Sequence, residues 1–365
     1  MKIGIITHYD VHNHGAMLQL CALKRFLKNK NLDAFALRYT KNYDFLPEES
    51  NSKYNISLKS IPFYIKYLCK NGLKKTLFNR KKMKLLKSYR MTNNLIGDYY
   101  SKVKIDLLII GSDEIFSIES GPNPWYYGVG TDAQKIISYA ASFGPTTIET
   151  IKSKHLESYL AGCLKTIESI SVRDKNSQQL VYELIGKKPL LVCDPVILYG
   201  YQSEMTGPRI IKKDYVLLYS YDKNFNSSND VKQIKAFAKE NNLIVVSGGF
   251  YHKWCDKNYN VNPDELIALF KYAKFVITDT FHGAVLSLIT NANFSARINN
   301  NSNKLLHLLS QYSCDDRLFD ECDCRILNSL YKKAINYSFV NSMIDKHRIS
   351  SIEFLNGEIE KHDFK

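Results

Sequence analysis

Apolar KIGIIT, a polar loop HYDVHNHG, and a stretch from Ala16 to Leu27 with Leu18, Cys21, Ala22 and Phe26 at helical spacing predict strand, loop and helix. DAFALRY (33–39) follows as a second strand. A βαβ opening of this kind predicts a parallel sheet whose ligands sit beyond the carboxyl ends of the strands. DLLIIGSD (106–113) and KIISYAASFG (135–144) each run apolar and then break into Gly, Ser or Asp. Small polar groups, Ser112, Asp113 and Ser142 among them, thereby fall on the expected ligand edge.

A second alternation begins after Asp194-Pro195. DYVLLYS (214–220), a helical stretch from Asn229 to Glu240, LIVVSGG (243–249), a helix from Asp264 to Tyr272 and FVITD (275–279) repeat the βα pattern. The fold class expected is therefore α/β, with two doubly wound Rossmann-like domains and a cleft between them. The boundaries expected are 1–200 for the first domain, 201–330 for the second and 331–365 for a helical C-terminal segment. The pattern from Leu327 to Ile359 is mostly helical, and either extends the second domain or packs back across the first. No internal repeat is visible.

Length and composition agree with that picture: 365 residues suit two domains, and 45% hydrophobic with 24% charged residues describe a globular chain. The formal net charge of +14 favours polyanionic partners, and its distribution is uneven. Lys53 to Arg90 holds twelve Lys or Arg and no Asp or Glu, interleaved with Leu58, Ile61, Phe63, Tyr64, Leu73, Leu77 and Phe78. This reads as a basic helical insertion in the first domain. It serves as a solvated face, as a surface for an anionic membrane or lipid phosphate, or as a nucleic-acid surface. No nucleic-acid recognition motif accompanies it, and nucleic acid is not an expected partner. The apolar run from Lys2 to Thr7 stops at His8, too short for a signal-peptide core or a membrane span, and the chain reads as cytoplasmic. The eight cysteines lie mostly inside apolar patterns, as reduced core thiols do. Cys314, Cys322 and Cys324 cluster among acids but lack the paired knuckles of a zinc site, so no metal is expected there.

The strongest local signal is FVITDTFHGAVLSLI, where a strand ends near Thr278 and a helix begins around Phe281 to Gly283. Free N–H groups at a helix start, with His282, Gly283 and Thr280 beside them, suit a phosphate or carboxylate. Thr280 as a plain N-cap and His282 as a buried histidine is the alternative. Asp113 in IIGSD is placed to take a hydroxyl proton or to cap the next segment. Arg173 in SVRDKNS offers a planar fork to an anion or pairs with a nearby acid. His8, His12 and His14 with Asp10 invite a metal reading, yet an irregular loop lacks the helical spacing that aims two imidazoles at one ion. Asn13, His14 and Gly15 read instead as the polar lip where loop meets helix. GVGTDA (128–133) follows NPWYY rather than a strand and is not a dinucleotide fingerprint.

NHGAMLQLCAL (13–23), DLLIIGSDEIF (106–116), ISYAASFG (137–144), SVRDKNS (171–177), DPV (194–196) and TDTFHGAVLSL (278–288) together resemble the motifs of the polysaccharide pyruvyl transferase family, in that family's order. Phe116 stands where the family commonly has Trp, and Thr280 where some members carry Arg. The resemblance implies a GT-B-like fold and an enzyme that moves pyruvate from phosphoenolpyruvate to a saccharide acceptor, forming a ketal across two hydroxyls. It implies a site in which His282 and the Gly283 N–H hold phosphate, Arg173 binds phosphate or carboxylate, and Asp113 orients or deprotonates the acceptor. Asn13 and His14 would line the facing lip, with no metal or cofactor required. A lipid-linked acceptor would give the basic insertion a purpose. Two other classes stay open: a GT-B-type glycosyltransferase using a nucleotide-sugar, and a non-catalytic binder of anionic glycans or lipids.

Overall fold

The computed structural model describes residues 1–39, 61–119, 123–298 and 303–363, without the side chains of 61–71 and 361–363. In the first domain β1 (Ile3–Ile6), β2 (Ala34–Arg38), β3 (Ile96–Tyr99), β4 (Lys104–Ile110) and β5 (Asp132–Ser138) form a five-stranded sheet in the order β3-β2-β1-β4-β5. Every pairing in it is parallel. Two short strands, β6 (Ser171–Val172) and β7 (Leu190–Leu191), pair with each other, and single bridges from Ile137 to Ser169 and Ala141 to Val172 continue the β5 edge. The second domain holds β8 (Tyr215–Tyr219), β9 (Ile244–Gly248), β10 (Lys257–Tyr259), β11 (Phe275–Thr278), β12 (Phe294–Arg297) and β13 (Leu318–Phe319). Their order is β10-β9-β8-β11-β12-β13, again all parallel. β1 and β11 are buried throughout and β4 along most of its length, as sheets covered by helices on both faces require. Lys104 and Asp106, toward the start of β4, are the exceptions.

The domains meet along helices that start at strand ends. His14–Lys28 from the first domain lies against Pro195–Tyr199, and Pro263–Lys271 and Phe281–Ile289 from the second domain close the seam. Tyr201 donates its hydroxyl to the Leu18 carbonyl at 2.5 Å, and one apolar cluster runs from Ile3 through Leu18 and Ile197 to Leu286 and Ile359. The core is thus continuous across the seam, so the relative placement of the strand ends is fixed by packing as well as by linkers.

The C-terminal helix Tyr337–Asp363 packs back on the first domain, the second of the two arrangements its pattern allowed. Arg348 Nε donates to the Ile197 carbonyl at 2.6 Å, Ser351 Oγ accepts from Cys193 N at 2.9 Å, and Lys135 pairs with Glu358 at 2.8 Å. The basic segment also differs from expectation. Its helical run, Ile61–Thr92, is two helices meeting at a kink at Gly72 (φ 72°, ψ 163°), with residues 53–60 outside the described range. Its cations do not share one solvated side: Lys82 and Arg90 are buried, while Lys74, Arg80, Lys81, Lys84 and Lys87 are exposed.

Candidate active site

The site grows from strand ends. Gly111, after β4, sits at φ 125°, and a Cβ there would collide with the Tyr139 carbonyl, so the chain turns on a residue without a side chain. The turn delivers Asp113, itself at φ 77°, a conformation that non-glycine residues seldom hold. Asp113 Oδ1 accepts from Arg173 Nη2 at 3.2 Å, and Arg173 Nη1 donates to Asp194 Oδ2 at 2.9 Å. Asp194 also caps the helix Pro195–Tyr199, its Oδ1 accepting from Val196 N at 2.9 Å. From the second domain, His282 Nε2 reaches within 3.7 Å of the same Asp194 Oδ2 and has no hydrogen-bond partner among the described residues. A Cβ on Gly15 would overlap the His282 ring, so the two domains approach through a residue that leaves room for the imidazole. Lys304 pairs with Glu114 across the seam, and its ammonium lies 5.9 Å from the centroid of Phe281, whose ring also carries the Arg173 guanidinium at 4.5 Å. His8 completes the group, Nδ1 3.3 Å from the Tyr126 hydroxyl.

Burial alone would raise the Asp113 carboxyl, but Arg173, then His8, His282 and Lys304, outweigh it and hold the group at about 2. Burial lowers His282 against the opposing pull of Asp194 and Asp113, and lowers His8 against Asp113. The ligand-free site therefore pairs an ionised Asp113 with two imidazoles biased to the neutral form. Three carboxylates (Asp113, Asp194, Glu114) face the cations Arg173 and Lys304, the second lowered by burial against the pull of Asp113.

Asp113, Arg173 and His282, predicted from three distant segments, come together here. The surroundings change the roles expected of Arg173 and of the remaining residues. Arg173 is not an open fork: its side chain is 1% exposed, and both terminal nitrogens are held by carboxylates. The Gly283 N–H donates to Thr280 Oγ1 at 3.0 Å and the Gly15 N–H to Asn13 Oδ1 at 2.8 Å, so the caps occupy the donors expected to be free. Ser112 Oγ donates to Gln19 Oε1, and Ser142 Oγ donates to Asp174 Oδ2 at 2.7 Å while accepting from Gly144 N at 3.0 Å. Both hydroxyls are buried structural links. His14 is fully buried, its Nε2 2.8 Å from the Val261 carbonyl, and ties the two domains instead of forming a lip. Burial, reinforced by the charge of Lys82 and opposed by that hydrogen bond, brings it down to about 3. Sequence reasoning gave no role to Asp194, Glu114 or Lys304. Asp194-Pro195 marked only where the second alternation begins and, as DPV, one of the family motifs, and Lys304 follows a polar run without any pattern. No group of three or more metal-ligating side chains is assembled among the described residues.

Two parallel α/β domains with the site at the facing strand ends define the GT-B class. Among solved structures with this arrangement, UDP-GlcNAc 2-epimerase of Rickettsia bellii aligns with a TM-score of 0.54 at 9% identity, covering 100% of this chain and 97% of its own. Arabidopsis thaliana UGT89C1 complexed with UDP-L-rhamnose gives 0.53 at 10%, covering 99% and 98%. The Methanocaldococcus jannaschii UDP-GlcNAc 2-epimerase in complex with UDP-GlcNAc and UDP gives 0.51 at 11%, covering 94% and 99%. A search of curated protein sequences returns no match. The family model for polysaccharide pyruvyl transferase matches residues 13–301, and the chain belongs to that family.

Proposed function

We propose that the protein transfers the pyruvyl group of phosphoenolpyruvate to a saccharide, closing a ketal on two of its hydroxyls. The observation that carries this reading is the family match over residues 13–301, which includes every residue of the Asp113–Arg173–Asp194–His282 cluster. The reaction adds a proton to the methylene carbon of the enol, joins two sugar oxygens to the adjacent carbon, and releases phosphate. Of the two hydroxyl protons displaced, one balances the new methyl group and the other leaves with phosphate.

His282 supplies the proton. Burial biases its imidazole toward the neutral form in the free site, and a dianion arriving beside it raises its proton affinity, so donor and proton enter together. Asp113, too acidic at about 2 to be a strong base, orients an acceptor hydroxyl and stabilises the oxocarbenium-like carbon. Arg173 holds the two carboxylates in register and adds its charge to the field of the site. Lys304 reaches donor phosphate by exchanging Glu114 for it. No metal or cofactor enters this scheme.

The test is a thermal-shift and calorimetric comparison of phosphoenolpyruvate with UDP-sugars, followed by phosphate release with saccharide acceptors. Phosphoenolpyruvate is expected to bind with net proton uptake near pH 7, seen as a buffer-dependent enthalpy, and His282→Ala to lose turnover by at least about a hundredfold. Turnover that survives His282→Ala removes His282 from the mechanism. A second reading, glycosyl transfer from a nucleotide-sugar, is favoured by the UDP-ligand structures with the same fold, and stabilisation by UDP-sugars alone would select it.

A lipid-linked acceptor at an anionic membrane fits the exposed face of the helix Ile61–Thr92. Leu73, Leu77, Arg80, Lys84, Lys87 and Met91 follow one another at three- and four-residue steps, and all six are exposed. No helix among the described residues is long and apolar enough to cross a membrane, so contact of this kind would be peripheral.

A further inference from the structure

Among the described residues five Lys or Arg side chains belong to residues no more than 8% exposed: Lys82, Arg90, Lys135, Arg173 and Arg317. Four have their charge answered. Arg90 pairs with Asp10 at 3.2 Å, Lys135 with Glu358 at 2.8 Å, Arg173 with two aspartates, and Arg317 donates to four carbonyl oxygens. Lys82 is the exception. Among the described residues no carboxylate lies within ion-pair distance of it and none accepts a hydrogen bond from it; the Phe250 ring lies 4.4 Å from its ammonium, and Asp222, whose charge acts on it from further off, is already paired with Lys75 at 3.1 Å. Burial, opposed by the charge of Asp222, brings this ammonium down to about 8, and an anion placed directly against it would favour its charged form.

Its location says what the partner is for. The helix Ile61–Thr92 is pinned on both sides of Lys82 to the second domain: Lys75 to Asp222 at 3.1 Å, the Phe78 carbonyl to Asn260 Nδ2 at 2.9 Å, and Tyr89 to Asp264 at 2.8 Å. Lys82 is thereby held at the seam, near enough to depress His14, the residue that precedes Gly15 and the His282 ring. We propose that Lys82 receives a phosphoryl group of a ligand bound between the domains, as a second anion subsite beside the His282 cluster. A phosphoryl dianion matches a compact ammonium that has three donors and no acceptor among the described residues. The phosphoryl group comes from the donor or from a phosphorylated saccharide.

Calorimetry of the full chain with phosphoenolpyruvate and with inorganic pyrophosphate, the latter standing for a saccharide diphosphate, tests this in wild type, Lys82→Met and Lys82→Arg. The expected result is at least a tenfold loss of affinity for one of the two probes in Lys82→Met, retained in Lys82→Arg, with no fall in the ligand-free melting temperature of Lys82→Met. Loss for phosphoenolpyruvate assigns the subsite to the donor, and loss for pyrophosphate alone assigns it to the acceptor. The latter outcome stands even if phosphoenolpyruvate never binds, in which case pyruvyl transfer fails and the subsite does not. Unchanged affinity of Lys82→Met for both probes overturns the proposal, as does a lowered ligand-free melting temperature with affinity intact, which would make Lys82 a packing residue. Should Lys82→Met not fold, equal affinities for wild type and Lys82→Gln overturn it in the same way.

Discussion

Asp113 is held at a carboxyl pKa of about 2 against an ordinary 3.8, because Arg173 and three further groups outweigh its burial. A carboxylate depressed in the folded state adds stability that is present above about pH 4 and is lost as the pH falls toward 2. The shift corresponds to roughly 2 kcal/mol. Urea unfolding of wild type and Asp113→Asn should therefore show a gap at pH 6 that closes by pH 2; the same gap at both values would mean that charge at Asp113 is not what Arg173 stabilises. This behaviour was not legible in IIGSD. The motif places a carboxylate at a strand end, and SVRDKNS is compatible with Arg173 facing either a ligand or an acid. Which of these holds depends on Asp194 and on the reach of a long side chain, quantities that local pattern does not encode. The same limit applies to Gly15 and Gly283, whose N–H groups are taken up by Asn13 and Thr280. Residue chemistry identified both as helix starts, and helix starts capped by their own side chains keep fewer donors for a ligand.

Elements were far more legible than side-chain partners, since a period of two or of 3.6 is a local property. The strand expected at 33–39 is Ala34–Arg38, the helix expected from Asn229 to Glu240 is Ser228–Glu240, and FVITD contains Phe275–Thr278. The helix Ile61–Thr92 shows where periodicity is insufficient, because its composition gives a cationic surface but not the direction of each cation. Packing turns Phe78, Leu86, Tyr89, Lys82 and Arg90 inward and leaves the stripe from Leu73 to Met91 outside. That stripe makes a membrane reading testable. Replacing Arg80, Lys84 and Lys87 with Gln removes about 1 kcal/mol of attraction per charge, so partition onto phosphatidylglycerol vesicles at low salt should fall roughly a hundredfold. Sedimentation with vesicles checks it, and unchanged binding would return the stripe to solvent. Catalysis on a soluble saccharide should be unaffected in the same variant, because none of the three side chains is buried at the seam.

At the scale of the molecule, two parallel sheets could have been joined by a free hinge, and the seam contradicts that. Arg25, on the helix His14–Lys28, donates to Glu204 at 2.6 Å and to Asp264 at 3.1 Å, while Tyr89 of the basic helix donates to the same Asp264 oxygen at 2.8 Å. Two elements thus converge on one acid at the start of a third, the helix Pro263–Lys271, beside an apolar core that is continuous between the domains. The C-terminal helix adds a strap from the second domain back to the first through Arg348, Ser351 and Glu358. A seam of this kind makes the site's geometry a property of the whole fold, because Asp194 and His282 stay 3.7 Å apart only while the helices around them hold. Calorimetric unfolding should accordingly be one cooperative transition rather than two. Arg25→Gln leaves Asp264 and Glu204 half-buried without their cation, at a cost of about 2 kcal/mol. That variant should lower the melting temperature and also weaken turnover, although Arg25 touches none of the cluster residues. If the melting temperature falls while turnover measured well below it is unchanged, the seam stabilises the fold without setting the distance between His282 and Asp194.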